Sequence, residues 1–418
     1  MLPIVPFLIL LVLAIILVVV AARFRIPYTI ALVALGFSIG LAAEYLGLGN
    51  LFKSVSPLLT PGLFFDLLLP PIVFEAALHV NFRLLRARAS TILFLVFVGV
   101  VFTTFFAGFM ISYLTALPLA AAFLLAAILS PTDPIAVVDL FRRLRVPEEL
   151  STIVESESIL NDAVGIVMFV ILLGIVENGS WSFVAVAGNF LLLSLGGIAI
   201  GVLVAGGVYL LHRRLSDPAV ETALSVVAAY GSFLLATDLG ASGIIATAIV
   251  GITVGSWVGP RAMASEVRQA VASFWKVIVY IANSVVFLVM GLLFALSSLG
   301  AYVEVIVVVF AILFVGRAIF VYAHRPIAAA WVGPQGRLPS TWYNVITLAG
   351  IRGAIPVVLA LSLLTVPTGL PTGQLDTIIA SVLGVAFVSI VVENIAADWY
   401  VTRHFVPNAP DPGSGSAS

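Results

Sequence analysis

Long apolar runs recur along this chain at short intervals, and nothing else in the sequence constrains its fold as tightly. About 20 apolar residues suffice to cross the hydrocarbon core of a bilayer. On that measure spans are expected near Leu2–Ala22, Pro27–Leu46, Leu58–Leu78, Thr91–Tyr113, Leu119–Leu140, Leu150–Val176 and Phe183–Leu211. The series continues at Val220–Thr237, Ser242–Val258, Phe274–Leu296, Val303–Tyr322, Trp342–Leu364 and Thr377–Tyr400, giving about thirteen. Runs of this length are helical, so the expected fold is an all-α polytopic membrane protein. Composition agrees: charged residues are 9% of the chain, against about 25% in a soluble domain.

The basic residues test the count independently, because cytoplasmic loops carry an excess of Lys and Arg. Arg23 and Arg25 follow the first span, Arg83, Arg86 and Arg88 the third, and Arg142, Arg143 and Arg145 the fifth. Arg213 and Arg214 follow the seventh, Arg261, Arg268 and Lys276 the ninth, Arg325 and Arg337 the eleventh, and Arg403 ends the series. The intervening loops carry almost nothing basic except Lys53. This alternation places the N-terminus outside and the C-terminus in the cytoplasm. The first run lacks a basic leader and a cleavage site, so it reads as a span and not a removed signal peptide. Residues 1–406 read as one transmembrane domain, and the Pro/Gly/Ser-rich residues 407–418 as a disordered tail.

Several classes of function lose support at once. The net charge of −1 offers nothing to nucleic acid. The absence of cysteine removes disulfides and thiolate chemistry. His79, His212, His324 and His404 fall near predicted span ends without metal-ligand spacing, as structural or snorkelling residues. No Walker-type nucleotide motif is present, no cofactor is implied, and an enzyme is not indicated.

Ionisable residues inside the spans carry the functional signal, since a charge in hydrocarbon is expensive and marks a site by default. SPTDPIAVV at Ser130–Val138 places Asp133 between two prolines that interrupt the fifth span. Gly350, Gly353 and Pro356 surround Arg352 in the twelfth, a second interruption at similar depth. Segments seven spans apart run in opposite directions. Two broken helices crossing at the midplane between inverted repeats is a recurring secondary-transporter architecture. The halves share no convincing residue identity, so the repeat is a topological inference. At such a crossing Asp133 offsets facing helix N-termini, and Arg352 offsets facing C-termini. Arg352 lies too deep to snorkel and requires a buried carboxylate partner. Arg317 can snorkel toward the cytoplasmic end of its helix or support the interior, and the sequence leaves both open.

The sixth span supplies oxygen ligands. Ser158 and Asp162 are four apart on one helical face, with Glu157 and Asn161 as the neighbouring pair and Glu155 seven before Asp162. With Thr132 and Asp133 they form an oxygen-only set of the kind hard cations prefer, too weakly charged for a tight divalent site. A carboxylate withdrawn from water resists remaining a bare charge. Asp162 would therefore hold either a proton or a monovalent cation, and competition plus alternating access is sufficient for exchange. Ser156, Ser158 and Asn161 can each be read instead as helix–helix hydrogen-bonding residues. Glu148 and Glu149 complement a helix N-terminus, and Glu44, Asp217 and Glu177 read as solvated. Asp66, Asp238 and Glu393 fit either a polar pathway or helix contacts.

TDP at Thr132–Pro134, ESxxND at Glu157–Asp162, LPPIVFE at Leu69–Glu75 and GIRGA at Gly350–Ala354 resemble the NhaP-type sodium/proton antiporters. That branch of the cation/proton antiporters is related to the animal sodium/proton exchangers, and the resemblance runs from Pro27 to His404. It implies a thirteen-helix fold with a six-helix moving core and dimerisation helices, a homodimer in the cell membrane, and a role in sodium and pH homeostasis. It implies that Asp162, Asp133, Thr132 and Ser158 bind the sodium ion, with Asp162 also taking the proton. Glu157 would pair with Arg352, Glu75 would help hold the site, and Asn283-Ser284 matches a further motif of less defined role. Asn161 stands where the electrogenic branch has aspartate, which implies electroneutral one-for-one exchange of Na+, also Li+, for H+. Ser156 departs from the usual glycine, and no counterpart of the animal regulatory region is expected. The alternatives are K+/H+ antiport, a cation-coupled symporter of the same fold, or a channel.

Overall fold

A computed structural model describes residues 4–23, 28–45, 63–133, 141, 144, 146–178, 183–212, 217–296, 299–331, 338–364 and 368–405. The described residues are helical almost throughout. Helix α1 is Ile4–Arg23 and α2 is Tyr28–Tyr45. A wide π-helical turn at Leu63–Leu68 leads into α3, Leu69–Leu78, and a short helix α4, Phe82–Ala87, follows. Then come α5, Ala89–Leu114, and α6, Leu119–Ile128. Four long helices follow: α7, Glu148–Asn178, α8, Phe183–His212, α9, Pro218–Asp238, and α10, Gly243–Ala262. The chain continues with α11, Ser265–Leu296, and α12, Val303–Trp331. It finishes with α13, Ser340–Leu348, α14, Ala354–Ser362, and α15, Thr372–Phe405.

Among the described residues, eight helices are long and apolar enough to cross a membrane. Their outward faces carry large apolar side chains such as Leu192, Leu203, Val227 and Ile395, more than half exposed. Water would penalise such a surface and acyl chains accept it. The chain is a multi-pass membrane protein. The tail beyond residue 406 and the loop arginines Arg25, Arg142, Arg143, Arg145, Arg213, Arg214 and Arg337 lie outside the described residues.

Boundaries follow local chemistry. The Asp217 carboxylate caps α9 by accepting from Ala219 and Val220 N–H at 2.8 and 3.0 Å, with Pro218 in the first turn where its missing N–H costs nothing. Ser242 caps α10 through Ile245 N–H at 3.3 Å. In lipid, helices have no hydrophobic force between them, so they associate where small residues let backbones approach. α11 packs along α2 in this way: a Cβ at Gly36 would overlap the Leu288 carbonyl, and one at Gly291 would overlap the Val33 carbonyl.

Two of the expected spans are not continuous helices. α6 stops at Ile128, and residues 130–133 are non-helical before the chain leaves the described residues at Pro134. α13 stops at Leu348, residues 350–353 are non-helical, and α14 restarts at Ala354. Pro356 lies inside the first turn of α14, where proline is tolerated.

Candidate functional site

The two interruptions touch. The Asp133 N–H donates to the Ile351 carbonyl at 2.6 Å, joining the end of one broken segment to the middle of the other. Gly353 makes that approach possible, because a Cβ there would occupy the space of the Asp133 carboxylate. Asp133 thus stands at the N-terminus of α14, where the amide dipoles favour negative charge.

α7 passes alongside and binds the non-helical stretch. Ser158 Oγ donates to the Thr132 carbonyl, a group that the end of α6 leaves without a helical partner. Asn161 Nδ2 donates to Thr132 Oγ1 at 2.7 Å and to Glu157 Oε1 at 3.0 Å, while its Oδ1 accepts from Thr132 N–H at 3.3 Å. Thr132 and Ser158 hydroxyls lie 3.4 Å apart. One turn on, Asp162 is half-buried, within Coulombic reach of Asp133 and then Glu157. Asp162, Asp133, Thr132 and Ser158 are therefore gathered at the crossing, and Asn161 ties Thr132 to Glu157.

Asn161 supplies two N–H donations that aspartate cannot replace, and aspartate would set a second anion against Glu157. Asn161→Asp is expected to lower stability by about 1–3 kcal/mol, read as a fall in the thermal midpoint of the detergent-solubilised protein. An unchanged midpoint would refute this bridging role.

The arginines sort differently from the expectation. Arg317 is buried and pairs with Glu157 in a fork, Nη1–Oε1 at 3.1 Å and Nη2–Oε2 at 2.9 Å. It also donates to the Ile346 carbonyl from Nε at 3.1 Å and Nη2 at 2.9 Å, satisfying the C-terminal end of α13. This excludes snorkelling for Arg317. It also corrects the Glu157–Arg352 pair that the resemblance implies: Glu157 belongs to Arg317, which reaches it bidentately from α12. Arg352 pairs instead with Glu393 on α15, Nη1–Oε1 at 3.3 Å. Arg352 further donates to the carbonyls of Gly350 and, at 3.4 Å, Leu129, the buried C-terminal ends of both broken segments. Ser389 completes the group, accepting from Arg352 N–H at 2.8 Å and donating to Glu393 Oε2 at 2.5 Å. Both guanidinium groups thus sit at helix C-termini, where cations are favoured.

Glu393 is the site residue that sequence reasoning left undecided. The unpaired mid-span Arg352 called for a buried carboxylate without choosing among the candidates, and the structure supplies Glu393. Glu75 is half-buried on α3 with His79 Nδ1 at 3.4 Å, and no hydrogen bond or ion pair among the described residues links it to the crossing. Asn283 and Ser284 are buried on α11. Asp66 and Asp238 are exposed, which removes them from any buried pathway. At the start of α7, Glu148 accepts from Asn81 at 3.2 Å and Glu149 pairs with Arg88.

The charge count follows. Within this interior two guanidinium groups pair with Glu157 and Glu393, and among the described residues Asp162 has no such partner. An interior carboxylate without a cationic partner, beside hydroxyl and carbonyl oxygens, suits neutralisation by a proton or by a monovalent cation.

A family model described as the transmembrane part of the sodium/hydrogen exchangers matches residues 8–403. The Na(+)/H(+) antiporter ApNhaP of Aphanothece halophytica is 34% identical over 382 residues, 91% of this chain and 70% of that one. The Na(+)/H(+) antiporter NhaP of Pseudomonas aeruginosa is 30% identical over 356 residues, 83% and 82% of the two chains. The solved structure of the sodium proton antiporter MjNhaP1 from Methanocaldococcus jannaschii at pH 8 has a TM-score of 0.79. That alignment covers 96% of this chain and 98% of that one at 23% identity, a likeness of fold.

Proposed function

The chain belongs to the sodium/hydrogen exchanger family as an NhaP-type cation/proton antiporter, and from that premise we propose that it exchanges Na+, and also Li+, for H+ one for one by alternating access, with both ions competing for Asp162. The observation that carries this reading is the pairing of Arg317 with Glu157 and of Arg352 with Glu393. Each fixed positive charge is matched by a carboxylate, while among the described residues no hydrogen bond or ion pair holds Asp162. Asp162 is left as the group whose charge must be met from outside the protein.

In this reading Asp162, Asp133, Thr132 and Ser158 surround the cation, and the proton goes to the Asp162 carboxylate when the cation leaves. Low dielectric disfavours a bare carboxylate, so the empty, deprotonated site is the state the cycle avoids, and this couples the two fluxes. One carboxylate exchanging one unit charge for another moves no net charge. Asn161, neutral and committed to Thr132 and Glu157, adds no second titrating group. Glu75 would assist from α3. The reading also includes thirteen crossings with the C-terminus cytoplasmic, a six-helix core moving against interface helices, a homodimer, and location in the cell membrane.

The test uses purified protein in liposomes with a lumenal pH dye and an imposed sodium gradient. Proton counterflow is expected at zero membrane voltage and unchanged at an imposed voltage. A voltage-dependent rate would overturn one-for-one exchange, sodium flux without protons would point to a channel or symporter, and proton movement driven by potassium alone would make this a K+/H+ antiporter.

A further inference from the structure

Away from the crossing, a cavity of about 870 Å³ opens where the end of α3 and the short helix α4 meet the last turns of α10. Arg83, Arg86 and Arg261 line it together with Phe82 and Trp257, and among the described residues no acidic side chain does. Among the described residues neither Arg83 nor Arg86 has an ion-pair partner, and both are exposed. Nearby acids are engaged elsewhere, Glu148 by Asn81, Glu149 by Arg88 and Glu75 by His79. The walls are set by the backbone: Asn81 caps α4, and Ser256 Oγ donates to the Val80 carbonyl at 2.5 Å and accepts from Phe82 N–H at 3.2 Å.

Three arginines lining one cavity, with Arg261 held by the Trp257 carbonyl at 3.2 Å and Arg83 and Arg86 without an ion-pair partner among the described residues, suit a phosphate, whose oxygens match the guanidinium fork. The surroundings select its carrier. Trp257 is 46% exposed, stacks under Arg261 at 4.9 Å, and lies 5.4 Å from the Tyr209 ring on α8. Beside Tyr209, Leu203, Leu210 and Leu211 are exposed on a helix apolar enough to cross the membrane. An amphipathic ring between a basic pocket and an acyl-facing surface is the arrangement found at the headgroup level of a bilayer.

We propose that this cavity is a headgroup site for an anionic phospholipid, with the phosphate on Arg83, Arg86 and Arg261 and the acyl chains along α8. It needs only the membrane setting and stands apart from the exchange reading. A link to the crossing exists, because the cavity corner is tied through Asn81 and Glu148 to the start of α7, the helix that carries Asp162.

The test is native mass spectrometry on the delipidated full chain, offered phosphatidylglycerol or phosphatidylcholine. Phosphatidylglycerol is expected to be retained preferentially, with affinity falling about fivefold for each arginine removed in Arg83→Gln and Arg83→Gln/Arg86→Gln. Brominated phosphatidylglycerol should quench tryptophan fluorescence, and Trp257→Phe should remove that component. Because the substituted arginines are exposed, transport in phosphatidylcholine liposomes is expected to persist in the variants. Equal retention of both lipids, or unchanged retention by the double variant, would overturn the proposal. Displacement of phosphatidylglycerol by inorganic phosphate would assign the site to a soluble anion instead.

Discussion

Asp162→Asn is expected to abolish sodium-driven proton movement in proteoliposomes while leaving the protein at least as thermally stable as the native chain. The two halves of that result have different origins. Asparagine is nearly isosteric, and among the described residues no hydrogen bond or ion pair of Asp162 is lost. Removing the charge also relieves repulsion from Asp133 and Glu157, so the fold has no reason to weaken. Transport loses its central group. A unit charge about 4 Å from a cation at an effective dielectric of about 20 contributes about 4 kcal/mol, or about a thousandfold in affinity. Asparagine cannot take up the proton either, so both directions fail together. Asp162→Glu keeps the charge and moves it by one methylene, and exchange at reduced cation affinity is expected. Sodium-dependent proton flux surviving in Asp162→Asn would move the exchanging role to another carboxylate, with Asp133 the first to test.

Much of this arrangement is legible in the sequence, for reasons that also mark its limit. Apolar run length reports a helix directly, and Leu119, Phe183 and Val303 begin both expected spans and observed helices. Glycine and a charge in mid-span report an interruption, so the break at Gly350–Gly353 is legible in the sequence. Rotation about the helix axes is not encoded so openly. Arg317 and Glu157 are 160 residues apart, and which guanidinium reaches which carboxylate depends on how α7, α12 and α15 turn toward one another. Family resemblance supplied a partner for Glu157 and chose Arg352, whereas the fork comes from Arg317. For Glu393 the spacing from Ser389, four residues and so one helical face, was the available clue. The π-helical turn at Phe94–Val98 contains no proline or glycine and left no sequence signal. Its first residue, Phe94, stacks on Phe320 at 5.1 Å, a contact between helices distant in sequence.

Arg317→Met is expected to destabilise the protein more than the double variant Glu157→Met/Arg317→Met. Removing one partner of a buried pair leaves an uncompensated charge, at a cost of about 3–5 kcal/mol, whereas replacing both by apolar groups of similar volume is often neutral. Here recovery is incomplete. Arg317 also donates twice to the Ile346 carbonyl, and Glu157 accepts from Asn161. Those unmet groups leave the double variant about 1–3 kcal/mol below native. Thermal midpoints in detergent, followed by fluorescence-detected size exclusion, should therefore rank native above the double variant and the double variant above Arg317→Met. A double variant less stable than Arg317→Met would show that Arg317 acts through the α13 carbonyl and not through Glu157. Transport separates the same variants on electrostatic grounds. The double change removes one positive and one negative charge and leaves Asp162 without a cationic partner, as in the native chain, so exchange persists at reduced rate. Arg317→Met leaves a bare Glu157 within Coulombic reach of Asp162 and strengthens the pull on cations and protons, so its sodium dependence should shift to lower concentration wherever folded protein can be recovered.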